Sequence, residues 1–163
     1  MTESFVVRSL ERVVEIRLRG RAEELVDVAL HAWSRCLTDE APDGPPIDVR
    51  LRPRRPSSRS STHVDGASDA AALEMLSQAV TLAGIEHGAG RLLMLHACGV
   101  ADSTTGRTVV LAAPSGMGKS TAAVNLGRRW GYVSDETVAL TPLGAVLSYP
   151  KPLSLIHGGR WKD

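Results

Sequence analysis

Ala113-Pro114-Ser115-Gly116-Met117-Gly118-Lys119-Ser120 is the stretch that decides the reading of this chain, because its residue types match a phosphate-binding loop. Glycines at 116 and 118 allow successive backbone N–H groups to face a polyphosphate with no Cβ in the way. Lys119 has the reach for β- and γ-phosphates, and the Ser120 hydroxyl suits Mg²⁺. The flanks agree. Residues 107–113 (RTVVLAA) are β-branched and apolar, as a strand requires, and residues 120–129 (STAAVNLGRR) read as a helix whose N-terminus meets the phosphates. At average glycine usage such a pattern arises by chance in roughly one chain of this length in a hundred. The bland alternative is a glycine-rich turn that opens a helix. Ala113 stands where such loops usually have their first glycine, and a small residue with negative φ still permits the turn. Ser115, Gly116, Met117, Gly118, Lys119, Ser120 and Thr121 are the expected nucleotide-binding residues.

Outward from this loop, composition bounds the rest. A chain of 163 residues buries one core with at most a small appended lobe. Aromatics at 4% argue against a base-stacking surface for single-stranded nucleic acid, and a net charge of +1 gives no steering toward DNA or membrane. Neither a nucleic-acid nor a membrane partner is expected. Cys36 and Cys98 form no CxxC pair and read as buried thiols of a cytoplasmic protein.

Toward the N-terminus, residues 4–19 alternate as a strand with one wet face. Residues 22–37 carry apolar positions at helical spacing, and residues 47–51 alternate again. Residues 1–51 are therefore expected to form a small α+β lobe. Residues 52–67 open with a Pro/Ser/Arg-rich run that reads as a solvated loop. Residues 68–163 are expected to form the nucleotide-binding domain. Within it, Ser68 caps a helix to about Glu86, with Ala72, Met75, Leu76, Ala79 and Leu82 on one side. Residues 91–100 are a nearly continuous apolar strand, joined to the 107–113 strand through a turn at residues 102–106. The sequence predicts a mixed sheet with the loop's strand at its centre, the residue 119–129 helix on one face and the residue 69–86 helix also covering it.

Phosphoryl transfer also needs a carboxylate close to the γ-phosphate, to hold Mg²⁺ or to take a proton from the attacking hydroxyl. Asp135 and Glu136 follow the next strand, which is expected beside the loop's strand, at the edge where ligands collect in open α/β sheets. The plain alternative is a surface turn with two solvated acids. His96 is a second candidate, since alternation turns it away from Leu95 and Ala97; a hydrogen-bonded core histidine is the alternative.

Taken together, residues 95–97, the 109–121 stretch, residues 131–136 and residues 149–155 resemble, in family order, the catalytic domain of HPr kinase/phosphorylase and its HPr-kinase-like relatives. The resemblance covers roughly residues 91–155. It implies an α/β P-loop kinase domain related to phosphoenolpyruvate carboxykinase, use of ATP (or GTP) and Mg²⁺, and transfer of the γ-phosphate to a serine of a protein or peptide. It also implies roles: Ser115 to Thr121 as the phosphate cradle, Asp135 as base, His96 as its assistant, Lys119 on the transferred phosphate, and Ser120, Asp135 and Glu136 toward the metal. Glu136 replaces the family's second aspartate. The family's downstream region, with a further acid and the substrate-engaging loop, would fall beyond Trp161; a fragment or a stripped nucleotide-binding version is expected, without phosphorylase activity. Small-molecule P-loop kinases fit less well, because they begin near the loop and continue far past it. A non-catalytic nucleotide-binding scaffold is the alternative from another class. The acceptor's identity and a homo-oligomeric state stay open.

Overall fold

The computed structural model describes residues 2–51 and 62–153; the Pro/Ser/Arg-rich run from residue 52 to 61 and the C-terminal part of the 149–155 motif lie outside them. The protein is a mixed α/β fold with two sheets and three helices among the described residues. The chain divides into two compact units, Met1–Ala89 and Gly90–Asp163.

The first unit is built on a four-stranded sheet in the order β1-β2-β3-β4: β1 (Thr2–Ser9), β2 (Arg12–Arg19), β3 (Ile47–Leu51) and β4 (His63–Gly66). The single strand expected over residues 4–19 is instead a hairpin. Leu10, with φ 57°, takes a left-handed turn conformation that reverses the chain between β1 and β2. β2–β3 and β3–β4 pair in parallel. The helical spacing after Ala22 resolves into a short 3₁₀ turn (Gly20–Leu25) running into α1 (Val26–Ala32).

Helix α2 (Asp69–Gly88) begins as its sequence predicts, with the Ser68 hydroxyl accepting from Ala71 N–H at 3.3 Å. Its packing corrects the sequence reading. α2 lies against β1 to β4, and Ala72, Leu76, Val80 and Ala83, one turn apart, are buried with Val14, Ile16, Val49 and Val64 of the sheet. The helix assigned to the nucleotide-binding domain thus completes the core of the first unit. Ser9, fully buried, donates from its hydroxyl to the Val80 carbonyl at 2.9 Å and ties β1 to this helix. Met75 and Leu82, expected in the apolar stripe, are only half-buried.

The second unit holds a five-stranded sheet in the order β6-β5-β8-β9, with β7 also paired to β5. Its strands are β5 (Leu93–Ala101), β6 (Thr108–Ala112), β7 (Gly131–Ser134), β8 (Thr137–Leu140) and β9 (Val146–Leu147), and α3 (Lys119–Leu126) packs on β5 and β7. β5 and β6 form the expected hairpin, closed by Asp102, whose carboxylate accepts from Thr104 and Thr105 N–H, and by Gly106 at φ 69°. Two expectations change here. β6 is at the end of the strand order and not at its centre, and β7 pairs with β5 and not with β6, because β5 uses its second edge for β7 and β8.

Close approach of α2 to β4 sets a test of this packing. A Cβ added to Gly66 would sit 2.5 Å from the Ala72 Cα and 2.6 Å from its N, both backbone atoms that cannot swing aside. Gly66→Ala should therefore destabilise the first unit by about 1–3 kcal/mol, the usual cost of overpacking. In urea unfolding the midpoint should fall with an unchanged slope.

Candidate functional site

Strand register assembles the site. Ala97 of β5 faces Ala112 at the end of β6, and Gly99 of β5 faces Ser134 at the end of β7. Both neighbours run antiparallel to β5, so β6 and β7 run parallel to each other and leave the sheet at the same end. The chain continues from β6 into the 113–118 turn, and from β7 into Asp135 and Glu136. Residues separated by sixteen or more positions are thereby brought to one edge, as the placement of ligands at strand ends in α/β sheets requires.

The turn has the backbone its glycines permit. Gly116 and Gly118 hold φ values of 79° and 85°, and an added Cβ at either would meet nothing within 4 Å, so the space over them is open. α3 starts at Lys119 with Gly118 at its cap position and no side chain accepting from its first N–H groups. Those N–H groups are available to an anion, and the helix dipole favours one. Lys119 is nearly buried, and its ammonium donates to the Ala113 carbonyl at 2.7 Å and the Pro114 carbonyl at 3.2 Å, fastening the turn to itself. Ser120 is half-buried, Thr121 and Ser115 are exposed, and Met117 projects into solvent at 71% exposure.

Across β5, Asp135 is buried at 4% exposure, which separates it from the solvated-turn alternative; the Glu136 side chain is 39% exposed. Ser134 fixes their turn, its hydroxyl accepting from Glu136 N–H at 3.4 Å and Thr137 N–H at 3.3 Å. The Tyr132 hydroxyl donates to Asp135 Oδ1 at 2.8 Å, and the Lys151 ammonium lies 3.2 Å from the same oxygen and 3.1 Å from Glu136 Oε2. Cys98 of β5 is buried. Burial and then the Asp135 charge push its thiol up, while the Lys119 charge pulls it down. Cys36 and Cys98 are both buried.

His96 is exposed, and its Nδ1 lies 3.1 Å from the Glu136 carbonyl oxygen. A carbonyl only accepts, so this bond requires the proton on Nδ1 and leaves Nε2 as the acceptor of the neutral ring. The same carbonyl accepts from Ala97 N–H at 3.2 Å, which keeps the turn against β5. His96 thus meets the acidic turn through backbone.

The structure brings together Lys119, Ser120 and the 115–118 turn at one strand end, and Asp135, Glu136 and His96 at the neighbouring one. Sequence reasoning missed Lys151 and Tyr132 as their partners. The available signal was a lysine between two prolines, Pro150-Lys151-Pro152, directly after an apolar strand, a place where a solvated charge has little reason to be. Among the described residues, no group of three or more His, Cys, Asp or Glu side chains is arranged to hold a metal ion, and no helix is long and apolar enough to cross a membrane. Comparison of the chain with protein-family models, curated proteins and solved structures finds no match.

Burial, the Asp135 charge and the bond to Asp135 together raise Tyr132 far beyond the ordinary phenol range. The native state therefore keeps Tyr132 protonated at pH values where the unfolded chain ionises it, near 10. Its contribution to stability is complete below that pH and declines as pH rises above it. Tyr132→Phe should be less stable at neutral pH by about 1–3 kcal/mol, because Asp135 loses a donor, and should show a weaker decline above pH 10. Denaturant melts at neutral and alkaline pH measure both effects.

Proposed function

We propose that this chain is a nucleotide-dependent phosphotransferase of the HPr-kinase-like type, binding ATP or GTP at Ser115–Thr121 and passing the γ-phosphate to a serine hydroxyl of a protein or peptide. The observation that supports it best is the shared strand end. An anion-ready helix start with open space over two left-handed glycines lies one strand away from a buried, oriented carboxylate. The residue-level resemblance to HPr kinase/phosphorylase points the same way. A P-loop kinase fold with phosphoenolpyruvate carboxykinase kinship is part of this proposal.

In this reading the N–H groups of the 115–121 segment bind the phosphates, and Lys119 exchanges its hold on the Ala113 and Pro114 carbonyls for the β- and γ-phosphates. Open space over the glycines fits a phosphate chain, and a hydroxyl at the second helical position, Ser120, fits Mg²⁺. The ion, when bound with the nucleotide, supplies neutralisation of phosphate charge. Asp135 accepts the proton of the attacking serine hydroxyl, and His96, hydrogen-bonded to the turn that carries Asp135, assists it. The site is expected to act in the cytoplasm.

Two outcomes test the reading. Lys119→Ala deletes a charge-assisted contact worth roughly 1.5–3 kcal/mol, so nucleotide affinity should fall about tenfold or more; unchanged binding by calorimetry refutes the phosphate site. Asp135→Asn should bind nucleotide within a few-fold of wild type yet lose about 10²–10⁴-fold in phosphate transfer, the usual cost of losing a general base. Transfer from γ-³²P-labelled nucleotide to protein or peptide measures it. Binding by wild type without any transfer supports the non-catalytic nucleotide-binding module instead.

A further inference from the structure

Lys151 has no place in the chemistry proposed above, yet it is among the most buried side chains of the protein, at 0% side-chain exposure. A lysine ammonium keeps its charge away from water only where it is paired and hydrogen-bonded. Here the ammonium forms ion pairs with two carboxylates, Asp135 Oδ1 at 3.2 Å and Glu136 Oε2 at 3.1 Å, and donates a hydrogen bond to the Pro152 carbonyl at 3.3 Å. We propose that Lys151 is the resident cation of the Asp135–Glu136 pair, taking the position a divalent ion would need there and holding Asp135 as a proton acceptor and not as a direct metal ligand. The role given to Asp135 rests on the phosphotransfer reading. The occupation of the pair by Lys151 does not.

Backbone geometry makes the hold a rigid one. Prolines at 150 and 152 restrict the chain on both sides of Lys151, and its N–H donates to the Tyr149 carbonyl at 2.9 Å in a tight turn. The fully buried Tyr149 fastens this turn to the sheet, its N–H donating to the Val133 carbonyl at 3.0 Å. Tyr132 closes the cluster from the β7 side, its hydroxyl 2.8 Å from Asp135 Oδ1 and 3.3 Å from the Lys151 carbonyl. Both Tyr132 and Lys151 engage Oδ1, so Oδ2 is the oxygen left to receive a proton. Mg²⁺ or Mn²⁺ coordinated by either carboxylate would need its oxygens at roughly 2.0–2.2 Å in a regular octahedron. An ammonium bridging the two carboxylates occupies that space and repels a second cation. Ser120 and the nucleotide's own phosphates are then the ligands left for the metal, which makes metal binding depend on nucleotide.

Mn²⁺ titration of the nucleotide-free protein, followed by the EPR signal of the free ion, tests the proposal. Wild type and Glu136→Gln should bind Mn²⁺ identically; Mn²⁺ bound by wild type and lost in Glu136→Gln overturns the proposal. Lys151→Met, which removes the charge and keeps the length, should gain one Mn²⁺ site per chain. A Lys151→Met protein that is folded by circular dichroism and gains none also overturns it. If that variant does not fold, the comparison of wild type with Glu136→Gln decides by itself. Failure of the wild type to bind nucleotide would sink the phosphate-site reading and leave these nucleotide-free titrations standing.

Discussion

The pairing of β5 along both its edges is the constraint on which the second unit depends. Its C-terminal half pairs with β6 on one edge and β7 on the other, and its N-terminal half pairs with β8. A register slip of one residue would turn every side chain of β5 to the opposite face, and Ala97, Cys98 and Val100 are all fully buried. The register is therefore pinned by burial on both faces. Once it is pinned, the ends of β6 and β7 must emerge together, and with them the glycine turn and the acidic turn. No contact between those turns is needed to bring them side by side.

Electrostatics then shapes what the sheet has positioned. Asp135 and Lys151 are both removed from water, and a buried ion pair seldom stabilises a fold beyond what a well-packed apolar pair would. Loss of one partner, by contrast, leaves an uncompensated charge. The cluster of Tyr132, Asp135, Glu136 and Lys151 is thus better understood as fixing the orientation of a carboxylate than as adding stability. Lys119 shows the complementary arrangement. Its ammonium rests on two carbonyls of its own turn, which are weaker partners than a phosphate, so a stronger anion can draw it away.

Local chemistry was legible in the sequence, and long-range pairing was not. The left-handed glycines at 116 and 118, the start of α3, the Ser68 cap and the β5–β6 hairpin each follow from residue types within a few positions of one another. The position of β6 at the end of its sheet depends on which distant strand takes the second edge of β5, and nothing near β6 encodes that choice. β4 and β8, each four residues long, are too short for alternation to register. The assignment of α2 failed for a related reason: an alanine-rich stripe fits any apolar sheet, and only the close fit of Ala72 over Gly66 selects β4. Asp135 was singled out because it follows a strand after the glycine turn. Its partner Lys151 lies sixteen positions later behind a proline, and only folding brings the two within 3.2 Å.

The central claim is that the turn before α3 is a phosphate site, and amide NMR of the chain with ATP and Mg²⁺ tests it most directly. Backbone N–H groups that take up phosphate oxygens shift strongly, because hydrogen bonding to an anion changes their electronic environment. The account predicts that the largest shifts fall on Gly116, Met117, Gly118, Lys119 and Ser120, and that tripolyphosphate alone reproduces them. Shifts centred away from this turn, or none at saturating nucleotide, would contradict it.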